Sequence, residues 1–151
     1  MITASIKLSD ITDYHEEIKG LASKTSSIMY LLGPNECTEL LVKNLLILHP
    51  LHLVKTELGY LLIAGIRTFE MAKLLLKEDQ VINCCLHDLD ELSQPELFNL
   101  ALADIAGSLR LFNCAKNPEK QTKQLFENIG HDKVKTLFKK LTSKQKIDVR
   151  N

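Results

Sequence analysis

The sequence predicts a small α+β domain, in which a mixed sheet of few strands is flanked by helices and followed by a helical C-terminal extension. Three observations support this fold class. Residues 51–63 contain two strand-like apolar runs separated by a turn, residues 68–77 carry apolar side chains at helical spacing, and residues 81–86 form a third strand-like run. A strand, helix, strand order predicts a right-handed crossover whose two strands are parallel in one sheet.

Composition and charge narrow the class of protein. The chain has 151 residues, of which 45% are hydrophobic and 25% charged, as in an ordinary soluble globular domain. Its net charge is zero, yet residues 1–115 contain 9 Lys and Arg against 15 Asp and Glu, whereas residues 116–151 contain 10 against 4. We therefore divide the chain into a domain over 1–115 and a basic extension over 116–151. This asymmetry favours a nucleic-acid or acidic partner for the extension, with a solvated helical face as the alternative.

Cysteine usage and hydropathy predict a cytoplasmic protein with no membrane partner. The four cysteines form no CxxC pair, and residues 1–30 are polar and of mixed charge, unlike a secretory leader. The apolar stretches are well short of the ~20 residues that cross a bilayer. The adjacent Cys84 and Cys85 lie in the apolar 81–86 run, where we expect them to pack as unreactive thiols.

The N-terminal third is predicted to be mainly helical. Apolar residues recur at helical spacing over 9–24, and a short strand is an option over 26–32. A second helix is predicted over 35–48, with Asn35 as its N-cap and Pro50 ending it.

The middle of the chain is predicted to contain a hairpin and a helix. Gly59 can adopt the positive φ that the hairpin turn over 56–59 requires. The following helix is predicted over 68–77, with Thr68 as its cap.

The C-terminal part is predicted to be helical. Ser93 as N-cap, with Glu96 in the capping-box position, begins a long helix over 93–113. Two short helices are predicted over 119–129 and 132–141.

Gly65, Arg67 and Thr68 are the best candidates for a nucleotide or phosphate site. A buried strand gives way to a helix there, and the first amides of a helix lack intrahelical partners and favour anions. Arg67 suits bidentate contact with phosphate, and Thr68 adds a hydroxyl. The alternative is structural, with Gly65 relieving crowding at the strand end and Arg67 pairing with an acid such as Glu70 or Asp88.

Residues 45–104 resemble the N-terminal domain of the ParB/sulfiredoxin superfamily. The shared features, in chain order, are Pro50, a short strand, Gly59-Tyr60, the run 61–64, Gly65-x-Arg67-x-x-x-x-Ala72 and a following strand. The resemblance implies the superfamily's fold and a nucleotide or phosphate role for Gly65, Arg67 and Thr68. A nucleotide with Mg²⁺ is the cofactor that it implies.

The sequence also departs from the superfamily's pattern. Members that bind nucleoside triphosphates tend to carry an acid and paired arginines at the turn, where this chain has Ile66 and Thr68, so triphosphate hydrolysis is not expected. The Glu-Asn-x-x-Arg-like box of ParB proteins would fall at 104–107 and is not recognisable there. Sulfiredoxin places its reactive cysteine immediately after the glycine of the turn, where this chain has Ile66, which argues against reductase chemistry.

Two weaker sets of candidate residues lie near the strand ends. Asp88 and Asp90 are candidates for acid/base catalysis, because ligands gather at the carboxyl ends of parallel strands, although acids are ordinary in a solvated loop. A metal-ligand cluster of His49, His52, His87 and Asp88 would form only if the strand ends converge. We predict no metal site.

The basic extension supplies the candidates for contact with the DNA backbone, in an outline that resembles a shortened helix-turn-helix. They are Lys133, Lys135, Lys139, Lys140, Lys144 and Lys146. The first hypothesis is therefore a DNA-associated ParB-like protein of a partition, plasmid or mobile-element system, which contacts the DNA backbone through the extension, with a nucleotide at the Gly65–Thr68 turn as an option. The alternatives are a nucleotide-dependent phosphotransferase or nuclease-like enzyme, with Asp88 or Asp90 near the reacting group, and a degenerate ParB-like module that binds a protein partner.

Overall fold

A computed structural model describes residues 1–28, 35 and 37–107. Within these residues a five-stranded mixed sheet packs against four α-helices, so the predicted α+β class is confirmed. The strands are β1 Ile2–Lys7, β2 Ile11–Tyr14, β3 Leu51–Thr56, β4 Gly59–Ala64 and β5 Val81–His87. The helices are α1 Glu16–Ile28, α2 Glu39–Leu48, α3 Ile66–Leu75 and α4 Gln94–Leu102. Short 3₁₀ turns lie at Leu8–Asp10 and Leu89–Glu91, and a π-helical turn, Ala103–Gly107, follows α4.

The sheet has the strand order β1-β5-β3-β4-β2. At its centre β3 pairs antiparallel with β4 and parallel with β5, while β1 runs antiparallel to β5 and β2 runs parallel to β4. The β3–β4 hairpin and the β5 strand are both as predicted. Gly59 adopts a φ of 129° at the hairpin turn, and a Cβ there would lie 2.9 Å from the carbonyl oxygen of Asp10. Both its conformation and its crowding therefore require glycine.

The two edges of this sheet must approach each other. β1 and β2 are the opposite edge strands, yet only three residues, Leu8–Asp10, connect them. That connection spans at most about 14 Å, whereas the edges of a flat five-stranded sheet would be about 19 Å apart. The sheet is therefore strongly curled. The backbone amides of Leu8 and Ser9 fix the connection by donating to the carbonyl oxygens of Gln80 and Glu78, each at 2.9 Å.

The N-terminal third differs from its prediction. The helix expected over 9–24 is wrong in its first part, because Ile11–Tyr14 forms β2 and α1 begins only at Glu16. The optional strand over 26–32 is wrong at residues 26–28, because these belong to α1, which ends at Ile28. Residues 29–32 lie outside the described part of the chain. Strand β1 has no counterpart in the prediction. β1 and β2 are strands because they pair with β5 and β4. The spacing of apolar residues within a segment does not reveal such pairing.

The helix caps are confirmed at α4 and corrected at α2. The backbone N–H of Ser93 donates to Oε2 of Glu96 at 2.8 Å, which is one of the two hydrogen bonds of the predicted capping box. The Oγ of Ser93 also donates to this oxygen, at 2.6 Å. The N-cap of α2 is Thr38 rather than Asn35, because the hydroxyl of Thr38 accepts from the N–H of Leu41. Helix α2 therefore begins at Glu39, later than predicted.

The predicted crossover is wrong in its strand pairing. β4 and β5, which flank α3, run antiparallel to each other, because both pair with β3 and only β5 is parallel to it. The parallel partner of β5 is β3. A strand, helix, strand pattern does not show that the preceding strand β3 lies between the other two.

The buried side chains form two clusters on opposite faces of the central strands. The larger cluster contains residues from all five strands and packs them against α1, α2 and α3. The smaller cluster joins Val54 of β3 and Ile63 of β4 to Leu97 of α4. Helix α4 is thus held over β3 and β4, and this places the residues that follow it beside the end of β4.

Replacing Tyr14 by phenylalanine should raise the free energy of unfolding by about 1 kcal/mol. The hydroxyl of Tyr14 is buried without a hydrogen-bond partner among the described residues, while its ring packs edge-on against Phe69 at a centroid distance of 5.8 Å. Phenylalanine keeps the ring contact and removes the unpaired hydroxyl. Urea denaturation measures the change, and a loss of stability would instead show that the hydroxyl has a partner.

Other predictions fall outside the described residues. They are the end of the helix predicted over 93–113, the boundary at residue 115, the helices over 119–129 and 132–141 and the lysines of the basic extension. Within the part of the chain that is described, no helix is both long enough and apolar enough to cross a membrane.

Candidate functional site

The candidate phosphate site lies where β4 passes into α3, as the sequence predicts. Gly65 is the N-cap of α3, with φ 91° and ψ 26°, so Thr68 lies inside the first turn of the helix and is not its cap. A Cβ at Gly65 would lie 2.8 Å from Cδ2 and 3.3 Å from Cα of Leu51. The left-handed backbone and the close approach of β3 both explain the glycine. We call residues 65–68 the turn.

The first amides of α3 are already occupied by a carboxylate of the same chain. Oδ2 of Asp104 accepts hydrogen bonds from the backbone N–H groups of Gly65, at 3.0 Å, and Ile66, at 3.2 Å. Asp104 is half-buried and lies in the π-helical turn after α4. A carboxylate is favoured there because the helix dipole is positive at its N-terminus and the amides need acceptors. Asp104 therefore takes the position that a bound anion would take.

The other two predicted phosphate ligands follow directly after the two residues whose amides bind Asp104. Arg67 and Thr68 are both half-buried residues in the first turn of α3. A phosphate binding to the backbone amides of Gly65 and Ile66 would have to displace Asp104, and it would meet the negative charge of this carboxylate on approach. The phosphate role of Gly65, Arg67 and Thr68 stays a prediction, and Asp104 is now part of the same site.

A histidine pair lies beside this junction. Nδ1 of His52, on β3, is 2.9 Å from Nε2 of His87, on β5, which is a hydrogen-bond distance. The two strands are parallel, and their register aligns His52 with Cys85 and Val54 with His87, so both imidazoles project from the same face. The strand ends thus converge in part, as the cluster hypothesis requires. His49 and Asp88, the other members of that hypothesis, are exposed.

Burial is the main influence on the histidine pair. It lowers the pKa of His52 below the ordinary 6.5, and the nearby charge of Asp104 opposes this shift in part. The pKa of His87 is also lowered by burial, and further by His52 and the N-terminal amine, while Glu91 opposes the shift. Both imidazoles are therefore neutral at pH 7, with one ring nitrogen donating to the other. Among the described residues, no group of three or more His, Cys, Asp or Glu side chains is arranged to hold a metal ion.

The lowered pKa values predict that the domain loses stability as the pH falls below about 6.5. In this range the histidines of the unfolded chain bind protons while those of the folded chain remain neutral. The free energy of unfolding is therefore highest above the ordinary pKa of 6.5 and falls until the folded imidazoles are themselves protonated. Urea denaturation at about pH 8 and about pH 5.5 measures the difference.

Variants of single histidines separate this effect from the titration of carboxylates. His52→Gln and His87→Gln should each reduce the loss of stability between the two pH values. His49→Gln, at an exposed position after α2, should leave the loss unchanged. An equal loss in all of these variants would rule out the histidine pair as its source.

The candidate catalytic acids have ordinary structural surroundings. Asp88 is the N-cap of the 3₁₀ turn Leu89–Glu91, where its Oδ1 accepts from the backbone N–H of Asp90 at 3.0 Å. Asp88 and Asp90 are both exposed. They follow the carboxyl end of β5, as predicted. The Asp88 side chain caps the 3₁₀ turn, and the Asp90 side chain is exposed to solvent. Their catalytic role stays a prediction.

The two adjacent cysteines point to opposite faces of β5. Cys84 is fully buried, and burial raises the pKa of its thiol to about 12, so the packing role predicted for it is confirmed. Cys85 is half-buried, on the face that carries His52 and His87. Only Cys84 is therefore strictly a core residue.

Sequence reasoning missed Asp104 because its partners are far away in the chain. The residue lies at the start of 104–107, where the box of ParB proteins would fall and is not recognisable. An acid in a helical pattern is normally a surface residue, and no local rule pairs it with the amides of a helix that begins 38 residues earlier. The polarity of Asp104 among the apolar residues of its helix was the one indication available.

Comparison of the chain with protein-family models, with curated proteins and with solved structures finds no match in any of the three. The resemblance to the ParB/sulfiredoxin superfamily therefore rests on the residues of 45–104 alone.

Proposed function

We propose that the chain is a divergent ParB-like protein that associates with DNA in a partition, plasmid or mobile-element system. In this proposal the basic extension over 116–151 contacts the DNA backbone. The turn over 65–68 is a structural junction held by Asp104, and the chain needs no nucleotide turnover for its activity.

The observation that favours this proposal over the phosphotransfer alternative is the pair of hydrogen bonds from Gly65 and Ile66 to Asp104. Helix amides that donate to a phosphate must be free or must exchange their partner. Here a carboxylate oxygen of the same chain accepts from two amides at once, at a helix N-terminus where a carboxylate is a favoured acceptor. A binding function therefore has more support than a phosphotransfer function.

The resemblance and the charge distribution support the DNA assignment. The hairpin β3–β4, the glycine N-cap, α3 and β5 follow one another in the order that the superfamily's motif requires. The net excess of acids before residue 116 and of lysines after it leaves the extension as the part of the chain suited to a polyanion.

Fluorescence anisotropy with a labelled DNA duplex tests the proposal. Binding should weaken steeply with salt, and log K against log salt should have a slope of about −0.9 for each phosphate contact. Replacing the six lysines of the extension by glutamine should abolish most of the affinity. A control variant replaces three lysines that are exposed on the domain, Lys7, Lys55 and Lys77, and should retain the affinity.

Two results would count against the proposal. DNA affinity that is unchanged after replacement of the extension's lysines would remove the DNA role. A rise in melting temperature with a nucleotide and Mg²⁺, lost in Arg67→Ala, would favour the nucleotide-dependent alternative instead.

A further inference from the structure

The histidine pair lies next to the turn on the sheet. In the antiparallel register of β3 with β4, His52 is opposite Ala64, the residue immediately before Gly65. The neighbouring Leu51 packs against Gly65 itself, since a Cβ there would lie 2.8 Å from Cδ2 of Leu51. His52 is therefore one strand spacing, ~4.8 Å, from the end of β4 at which α3 begins.

The carboxylate that holds the turn lies on the same face of the sheet as the histidines. His52 is two positions before Val54, so its side chain projects towards the face of β3 that α4 covers. Asp104 follows α4, and its negative charge acts on His52. Asp104 is thus close to two sets of partners, the amides of Gly65 and Ile66 that it binds and the imidazoles beside them.

The hydrogen bond between the histidines makes the pair sensitive to protons. Nδ1 of His52 is 2.9 Å from Nε2 of His87, and a hydrogen bond between them requires one of these nitrogens to lack a proton. A neutral pair and a pair with one extra proton both meet this condition. Two charged imidazoles would lose the bond and repel each other, so the pair takes up a single proton first. It then carries one positive charge on the face where Asp104 lies.

The charged groups near His87 largely cancel. The N-terminal amine of Met1 lowers the pKa of His87, and Glu91 raises it. These two groups form an ion pair at 3.8 Å, and both are exposed, so the field that they produce together at the pair is small and screened by salt. The carboxylate of Asp88, the next residue in the chain, accepts from the N–H of Asp90.

Asp104 is the anion that a charge on the pair attracts. The thiol of Cys85 also lies on this face, opposite His52 in the register of β3 and β5. On the side of the turn, Arg67 lies in the first turn of α3. A positive charge on the histidine pair therefore competes with the N-terminus of α3 for the Asp104 carboxylate.

We propose that protonation of the histidine pair releases the turn from Asp104. When the pair gains a proton, the carboxylate leaves the amides of Gly65 and Ile66 for the charged imidazoles, and the N-terminus of α3 loses its acceptor. When the pair is neutral, the carboxylate returns to the amides. The domain thus contains a proton-operated switch that is closed at neutral pH and open in acid.

Amide resonances of the full chain, followed by NMR from about pH 8 to about pH 5, test this switch. The amides of Gly65 and Ile66 should shift in one step, together with the ring resonances of the histidine pair and below the ordinary pKa of 6.5. The amide of Leu41 is the control. It donates to the hydroxyl of Thr38 at the start of α2, and a hydroxyl does not titrate in this range, so this resonance should stay fixed.

Three variants separate the switch from the titration of carboxylates. His52→Gln should keep the amides of Gly65 and Ile66 fixed over the whole range, whereas His49→Gln, at an exposed position, should shift like the wild type. Asp104→Asn should lower the pH at which His52 is half-protonated, because the carboxylate favours the charged imidazole. This effect is the reciprocal of the first, as linkage between the two contacts requires.

The same spectra contain the outcomes that would overturn the proposal. Amides of Gly65 and Ile66 that stay fixed while the imidazoles titrate exclude the switch. An equal shift of these amides in His52→Gln also excludes it, because Asp104 itself would then be taking up the proton. Loss of the whole folded spectrum before the imidazoles titrate excludes it as well, since the response to acid would then be global unfolding.

Discussion

Gly65→Ala should lower the free energy of unfolding by about 2–5 kcal/mol, the largest effect of any single substitution considered for this domain. Two causes add together. Alanine is strained at a φ of 91°, and its Cβ would come within 2.8 Å of Cδ2 and 3.3 Å of Cα of Leu51. The Leu51 side chain is fully buried, so it has little room to move away. Urea denaturation measures the loss.

Gly20→Ala is the matched control for this substitution. Gly20 lies within α1, where an added Cβ would meet nothing within 4 Å. Alanine is the better helix former, so this variant should gain about 0.5–1 kcal/mol. The two alanine substitutions should thus change stability in opposite directions. Equal and small effects would show that the backbone at Gly65 is not constrained as described.

Asp104→Ala should lower the free energy of unfolding by about 2–4 kcal/mol. The substitution leaves the amides of Gly65 and Ile66 without the acceptor that now satisfies both. It also removes a negative charge from the positive end of the α3 dipole. Asp104→Asn keeps one oxygen acceptor and loses only the charge, so its loss should be about 1 kcal/mol. The difference between the two variants separates the acceptor from the charge.

Asp79→Ala provides the control for the loss of a carboxylate. Asp79 is exposed in the turn between α3 and β5, and its removal should change stability by no more than about 0.5 kcal/mol. A similarly small effect for Asp104→Ala would mean that water satisfies the two amides, and it would leave the turn open to an external anion.

The middle of the chain was predictable because its determinants are local. Gly59 between two apolar runs specifies a hairpin, and the capping box of Ser93 and Glu96 specifies the start of α4. The change from strand to helix at Gly65 also follows from sequence, although Gly65 itself and not Thr68 proved to be the cap. In each case residues within one turn of one another fix the backbone.

The edges of the sheet were not predictable in the same way. Ile11–Tyr14 has a spacing compatible with a helix, and only its parallel pairing with β4 makes it a strand. Strand β1 pairs with residues some eighty positions later, as in the register of Ile2 with Leu86. The closing of the curled sheet, which depends on both edges at once, decides the structure of these segments.

The candidate site was predictable only where its determinants are local. Gly65 and Arg67 were found from local chemistry at a strand-to-helix junction. Asp104 and the histidine pair depend on contacts between elements that are distant in sequence, 39 residues for Gly65 and Asp104 and 35 for His52 and His87. A pattern of residue types does not show that these residues meet in space. Strand pairing and the packing of α4 over β3 and β4 bring them together.

Amide resonances of Gly65 and Ile66, followed by NMR during titration with the common ribonucleoside triphosphates and Mg²⁺, test most directly whether Asp104 holds the turn. We expect both resonances to stay fixed in the wild-type chain during the titration and to move in Asp104→Asn without any nucleotide. Saturable shifts of these two amides in the wild-type chain would contradict our assignment, because they would show a nucleotide taking the place of the Asp104 carboxylate.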